Sequence, residues 1–129
     1  MKYLELWTKD KFLQKSYQLE KTIEVEGIRD KHLGPRFEYA KILVQIEPFN
    51  ELDVILLNTD SMEDYQIEML EASIFGLLDI LLTKAPCPLK DVRITLKEFD
   101  IDPIDSSLIA FRYAGRNAGE KILDILKTY

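Results

Sequence analysis

The chain has a single cysteine, a single histidine and a single tryptophan among its 129 residues. One thiol, Cys87, excludes an internal disulfide and agrees with a reducing compartment. Cys87 lies between Pro86 and Pro88, with no second thiol or histidine nearby in sequence, which favours packing over reactivity. Long apolar runs are missing too. The longest, IFGLLDILL, is broken by Asp79 and is far too short to span a bilayer. The amino-terminal stretch MKYLELWTKDKFLQ is interrupted by Glu5 and ended by charge, so it lacks the apolar core of a signal peptide. No G-x-x-x-x-G-K-[ST] phosphate loop occurs. Basic residues are outnumbered: 17 Lys and Arg against 23 Asp and Glu give a net charge of −6. That argues against the whole surface gripping nucleic acid and leaves the task to a local basic patch. The expectation is one soluble, cytoplasmic domain with no membrane or nucleotide partner.

The chain does carry clear periodicity, with no internal repeat or linker-like tract. Residues 17–26 alternate Tyr17, Leu19, Ile23 and Val25 with polar neighbours, the pattern of a half-buried strand, and Gly27 reads as its end. Ala40, Ile42, Val44 and Ile46 mark a second strand that Pro48 stops, and LDVILLN a third. From Met62 to Thr83 the period changes: Ile67, Leu70, Ile74, Leu77, Leu78 and Leu81 form a helical stripe. Ser61 is the expected N-cap, and Asp64, Glu68, Glu71 and Asp79 form an acidic face expected to be solvated. Val92, Ile94 and Leu96 make a fourth strand. A last helix is expected from about 106 to 127, with Ile109, Phe111, Ala114, Ala118, Ile122 and Ile125 or Leu126 inward. The fold class is therefore α+β: a βββαβα two-layer sandwich with a mainly antiparallel four-stranded sheet and both helices on one face. Residues 1–16, including Tyr3 and Trp7, would form an arm or an extra edge strand ahead of a domain at 17–129.

Several words in this order resemble a known family. Ile104, Asp105, Ser106, Ser107, Ala110, Phe111 and Arg112 are similar to the V-D-S-S-E-x-A-F-K word of translation elongation factor G domain IV. Asp91, Val92, Arg93, Ile94, Thr95 and Leu96 resemble that family's preceding V-D-I-K-V-T-L strand, and Val25, Glu26 and Gly27 its V-E-G. Gly34, Arg36 and Tyr39 fall in register with its glycine-rich G-G-R-G-Q-Y-G-H-V loop, and Glu47 with Pro48 matches its E-P. The likeness covers roughly residues 17–127. It implies the fold of the second domain of ribosomal protein S-five, with a left-handed βαβ crossover, and a ribosome or structured-RNA partner reached through two tip loops. Two departures stand out. The glycine-rich tip has become Gly34, Pro35, Arg36, Phe37 and Glu38, and Asp102 and Pro103 replace the family's histidine and the residue after it. An imidazole near RNA phosphate is thereby exchanged for an anion.

On this reading the RNA-binding candidates are Lys31, His32, Arg36, Phe37 and Asp102, with Phe37 offering a stacking surface and Arg112 and Arg116 as secondary basic candidates. The alternatives are a solvated hairpin for Lys31, His32, Arg36 and Phe37, an exposed strand-to-helix loop for Asp102 together with Asp100, and nearby acidic partners for the two arginines. Asp100, Asp102 and Asp105 invite a metal, but their spacing lacks the central glycine and terminal glutamate of an EF-hand. Asp105 reads better as the cap of the last helix. Ser106 has no local histidine or lysine to activate it, and neither helix opens on a phosphate-binding glycine loop, so no enzyme, cofactor or metal is expected. The functional expectation is a non-enzymatic RNA- or ribosome-binding module. The alternative is a protein-interaction or self-associating domain that kept the fold and lost the RNA tip, using the open sheet face or the amino-terminal arm.

Overall fold

The computed structural model describes residues 19–57, 59–84 and 88–127. The amino-terminal arm with Tyr3 and Trp7, the start of the first expected strand at Tyr17, and Cys87 all lie outside these residues. The strands are β1 (Ile23–Leu33), β2 (Arg36–Pro48), β3 (Asp53–Leu56) and β4 (Val92–Asp100), and the helices α1 (Asp64–Thr83) and α2 (Leu108–Lys127). Spatial order in the sheet is β1-β2-β4-β3. The β1/β2 and β2/β4 pairs are antiparallel; β3 runs parallel to β4 because α1 connects them as a crossover.

Alternation puts Ile23, Val25, Ala40, Ile42, Val44, Ile46, Val92, Ile94 and Leu96 on one buried face. The helices supply Leu70, Ile74, Leu77, Leu78, Leu81, Phe111, Ala114, Ala118 and Ile122 against it, which gives the two-layer α+β sandwich. The opposite face is polar and held by ion pairs: Lys97 to Glu24 at 3.0 Å, Arg93 to Asp53 at 3.0 Å and Lys41 to Glu26 at 3.7 Å.

Several boundaries differ from expectation, each for a visible reason. Gly27 does not end β1; it lies within it. A Cβ there would stand 2.2 Å from the Ala114 carbonyl oxygen, so this glycine lets α2 press onto the strand. Beyond Gly27 the strand continues to Leu33 with mostly exposed side chains, so the β1–β2 hairpin extends past the core. It closes through Gly34 and Pro35, with Gly34 at φ 66°, the positive φ a glycine-first two-residue turn requires. The third strand is limited to Asp53–Leu56. Helix α1 is capped by Glu63, not Ser61, through a capping box with Gln66. Ile109 faces solvent, not the core. The buried stripe of α2 runs through Ala110, Phe111, Ala114 and Ala118, and at 3.6 residues per turn Ile109 lies about 200° from Phe111.

The two helices touch backbone to backbone. A Cβ on Gly115 would sit 1.8 Å from the Ser73 carbonyl oxygen, and one on Gly76 2.0 Å from that of Arg112. This approach brings Asp79 of α1 between Arg112 (2.8 Å) and Arg116 (3.2 Å) of α2. Asp79 is thus a clamped, largely covered carboxylate and not part of a solvated acidic face. Among the described residues no helix is long and apolar enough to cross a membrane.

Candidate functional site

Antiparallel pairing of β2 with β4 sets Lys41 opposite Asp100, so the end of β4 emerges beside the hairpin. The segment 101–107 therefore lies against the hairpin before α2 begins. Its shape comes from two side chains. Asp102 Oδ1 accepts the backbone N–H groups of Ile104 (2.8 Å) and Asp105 (2.9 Å). These two donors, Asp105 first, hold the Asp102 carboxyl below its usual range, against a small opposing effect of desolvation. Ser106 Oγ accepts the Asp102 N–H at 2.8 Å and donates to the Tyr39 carbonyl at 2.7 Å. The Tyr39 N–H in turn donates to the Asp105 carbonyl at 3.1 Å. Loop and strand are stapled together.

The expected capping role of Asp105 is corrected by these bonds. Helix α2 is capped by Ser107, whose Oγ accepts the Ala110 N–H at 3.1 Å. Ser106 is likewise committed to the staple, with its hydroxyl proton on a carbonyl and not on a base.

Between the two loops lies an open groove of about 280 Å³ lined by Asp30, His32, Phe37, Asp100, Asp102 and Pro103, among others. His32 and Phe37 meet edge to face, with centroids 4.4 Å apart and planes at 81°. His32 Nε2 is also 3.9 Å from Asp30. Tyr39 donates its phenol proton to Asp100 at 2.6 Å. That bond, then burial and the charges of Asp100, Asp30 and Asp102, push its pKa up to about 12. Glu38 is nearly buried and paired with Arg29 at 2.8 Å, and Arg29 lies 4.3 Å over the Tyr113 ring.

Of the candidates read from sequence, His32, Phe37 and Asp102 line this one groove. Lys31 lines a neighbouring hollow with Ile28, Arg29, Tyr113 and Arg116. Arg36 is placed by its backbone at the start of β2, opposite Leu33. Arg112 and Arg116 answer Asp79, the alternative weighed for them. The groove's further residues are Asp30, on the hairpin beside His32, and Asp100, which the β1/β2 and β2/β4 registers together bring next to it. No group of residues arranged to hold a metal ion occurs among the described residues.

No family model matches the chain, and no curated relative does. A crystal structure of a Thermus thermophilus protein is similar over 80% of this chain, at 21% identity and a TM-score of 0.61. The match covers 16% of that protein, so this chain corresponds to a domain-sized portion of a much longer one. The likeness shows a shared α+β fold.

Proposed function

We propose that the chain is a non-enzymatic binding module on the plan of elongation factor G domain IV, working in the cytoplasm through the tip where the hairpin and the 101–107 loop meet. The observation that carries this reading is the convergence itself: His32, Phe37 and Asp102 line one groove whose walls are stapled through Ser106. The Thermus likeness supports it, since a domain that elsewhere works inside a larger factor would match a small share of a long chain. With the reading go the ribosomal protein S-five domain-two plan and a left-handed crossover from β3 to β4.

Charge favours one partner class. Asp30, Asp100, Asp102 and Asp105 all border the groove, and phosphates brought there would meet carboxylates within a Debye length. A protein partner is therefore favoured over ribosomal or other structured RNA. The open sheet face is a poorer candidate because its charges are already cross-paired. No nucleotide, metal or cofactor enters the proposal.

Photo-crosslinking in the native host tests it, with the reactive residue at position 104 in the tip or at 45 on the open sheet face. The expected result is a discrete adduct from position 104 that protease removes and ribonuclease does not. A ribonuclease-sensitive adduct transfers the proposal to RNA, and adducts from position 45 alone overturn the tip as the working end.

A further inference from the structure

Nine large apolar side chains are exposed among the described residues. Five of them, Leu33, Phe37, Ile104, Leu108 and Ile109, belong to the hairpin end, the 101–107 loop and the first turn of α2. Scattered exposed apolar residues are ordinary, but a concentration at one end of a small domain marks a contact surface. Ile104 is 89% exposed and sits in a turn that Asp102 holds by its backbone, so the loop's own hydrogen bonds present it to solvent. Leu108 and Ile109 lie off the stripe by which α2 packs on the sheet.

Beside this apolar surface the groove supplies the opposite character. Its border carries four aspartates, and Lys31 is absent from its lining. Phe37 is half exposed and packs T-shaped against His32, and an exposed aromatic face attracts a cation. At about 280 Å³ and open to solvent, the groove falls below the roughly 300–1,000 Å³ of small-molecule pockets but has room for one long side chain.

Resting on the reading of the tip as the working end, we infer that the tip docks a basic, amphipathic protein segment. A lysine or arginine of that segment enters the groove between the aspartates, and its apolar neighbours cover Ile104, Leu108 and Ile109. The charge complementarity is local. It orients the segment, while the apolar contacts supply most of the affinity.

Amide chemical-shift mapping of the full chain tests the inference with three probes. Two are peptides of equal length and equal leucine content, one bearing arginines and one glutamates; the third is a uridine oligonucleotide. The arginine peptide should shift amides in 30–39 and 100–109, and binding should weaken about fivefold in the double variant Asp30→Asn, Asp105→Asn. Ile104→Ser should weaken it separately, and all three substituted side chains lie outside the core. Tip shifts by the glutamate peptide or the oligonucleotide overturn the cationic segment while leaving the tip as the working end. Shifts elsewhere, or none with any probe, overturn both. Tip binding of the arginine peptide that the double variant leaves unchanged overturns the role of the aspartates.

Discussion

Replacing Ser106 with alanine should loosen the tip without touching the core, and the structure sets the size of the effect. Ser106 Oγ makes two bonds, accepting the Asp102 N–H at 2.8 Å within the loop and donating across to the Tyr39 carbonyl of β2 at 2.7 Å. A net contribution of about 0.5–1.5 kcal/mol per hydrogen bond gives roughly 1–3 kcal/mol. The residue is half-buried, so water can reach part of what is freed, and about 1–2 kcal/mol is the expected loss. Urea unfolding should show a lower midpoint with an unchanged slope, because the area exposed on unfolding hardly alters. Amide exchange should accelerate at Asp102 and Tyr39 but not at Val44 or Ile94 in the sheet centre. The neighbouring Ser107→Ala is the control. It removes a helix cap and should cost about 1 kcal/mol, with faster exchange at Ala110 and little change at Tyr39. A loss below about 0.5 kcal/mol for Ser106→Ala, or exchange that rises evenly across the domain, would refute the staple.

Glycine substitutions should separate contact from conformation. Gly115→Ala gains helix propensity but drives a Cβ to 1.8 Å from the Ser73 carbonyl oxygen, so a net loss of about 3 kcal/mol is expected by denaturation. Gly34→Ala meets nothing within 4 Å, and its cost of about 1–2 kcal/mol should come from the positive φ alone. Asp79→Asn removes two half-exposed ion pairs and should cost about 1 kcal/mol, screened by salt. The pH dependence has two arms of opposite origin. Asp102 is depressed below its ordinary 3.8, so its stabilisation is present above that value and lost as pH falls through the lower folded value; Asp102→Asn should flatten this acid arm. Tyr39 is raised from 10.0 to about 12, so its stabilisation is complete below 10 and lost as pH rises towards 12; Tyr39→Phe should flatten that alkaline arm. In low-salt sedimentation with ribosomes, a pellet that Arg36→Glu abolishes would favour RNA over a protein partner, and none is expected.

What could be read from residues alone follows from range. The alternation of Ala40, Ile42, Val44 and Ile46, and the stripe from Leu70 to Leu81, are local signals, and those elements lie where the pattern puts them. Gly27 reads as a strand end because a buried helix contact is invisible in sequence; only Ala114, 87 positions later, explains why hydrogen alone fits there. Asp79 reads as solvated for the same reason, since its partners Arg112 and Arg116 lie on another helix. Capping shows a subtler limit. Asp105, Ser106 and Ser107 are all good cap residues, and local preference cannot choose among them. The choice falls to Ser107 because Ser106 is drawn to the Tyr39 carbonyl, a strand away. The groove is the least legible feature, because its two walls meet through the β2/β4 register and the Ser106–Tyr39 staple, both long-range in sequence.

The residue at position 102 joins these lines of argument. The similar word in elongation factor G carries a histidine there, and exchange for aspartate looks at first like a change of surface charge. Asp102 Oδ1 accepts two backbone N–H groups at once, from Ile104 and Asp105. A neutral imidazole has one acceptor nitrogen and an imidazolium none, so a histidine could not hold this turn as it stands. The aspartate is therefore architectural as well as electrostatic: it fixes the loop that exposes Ile104 and adds a carboxylate beside Asp30 and Asp100. An asparagine would preserve the two accepted hydrogen bonds and remove only the charge. If Asp102→Asn keeps the amide exchange pattern of the loop but weakens the arginine peptide, the two roles are separable. If it melts the loop instead, the ionised carboxylate is needed for the turn itself, and the acidity of the tip is a consequence of its architecture.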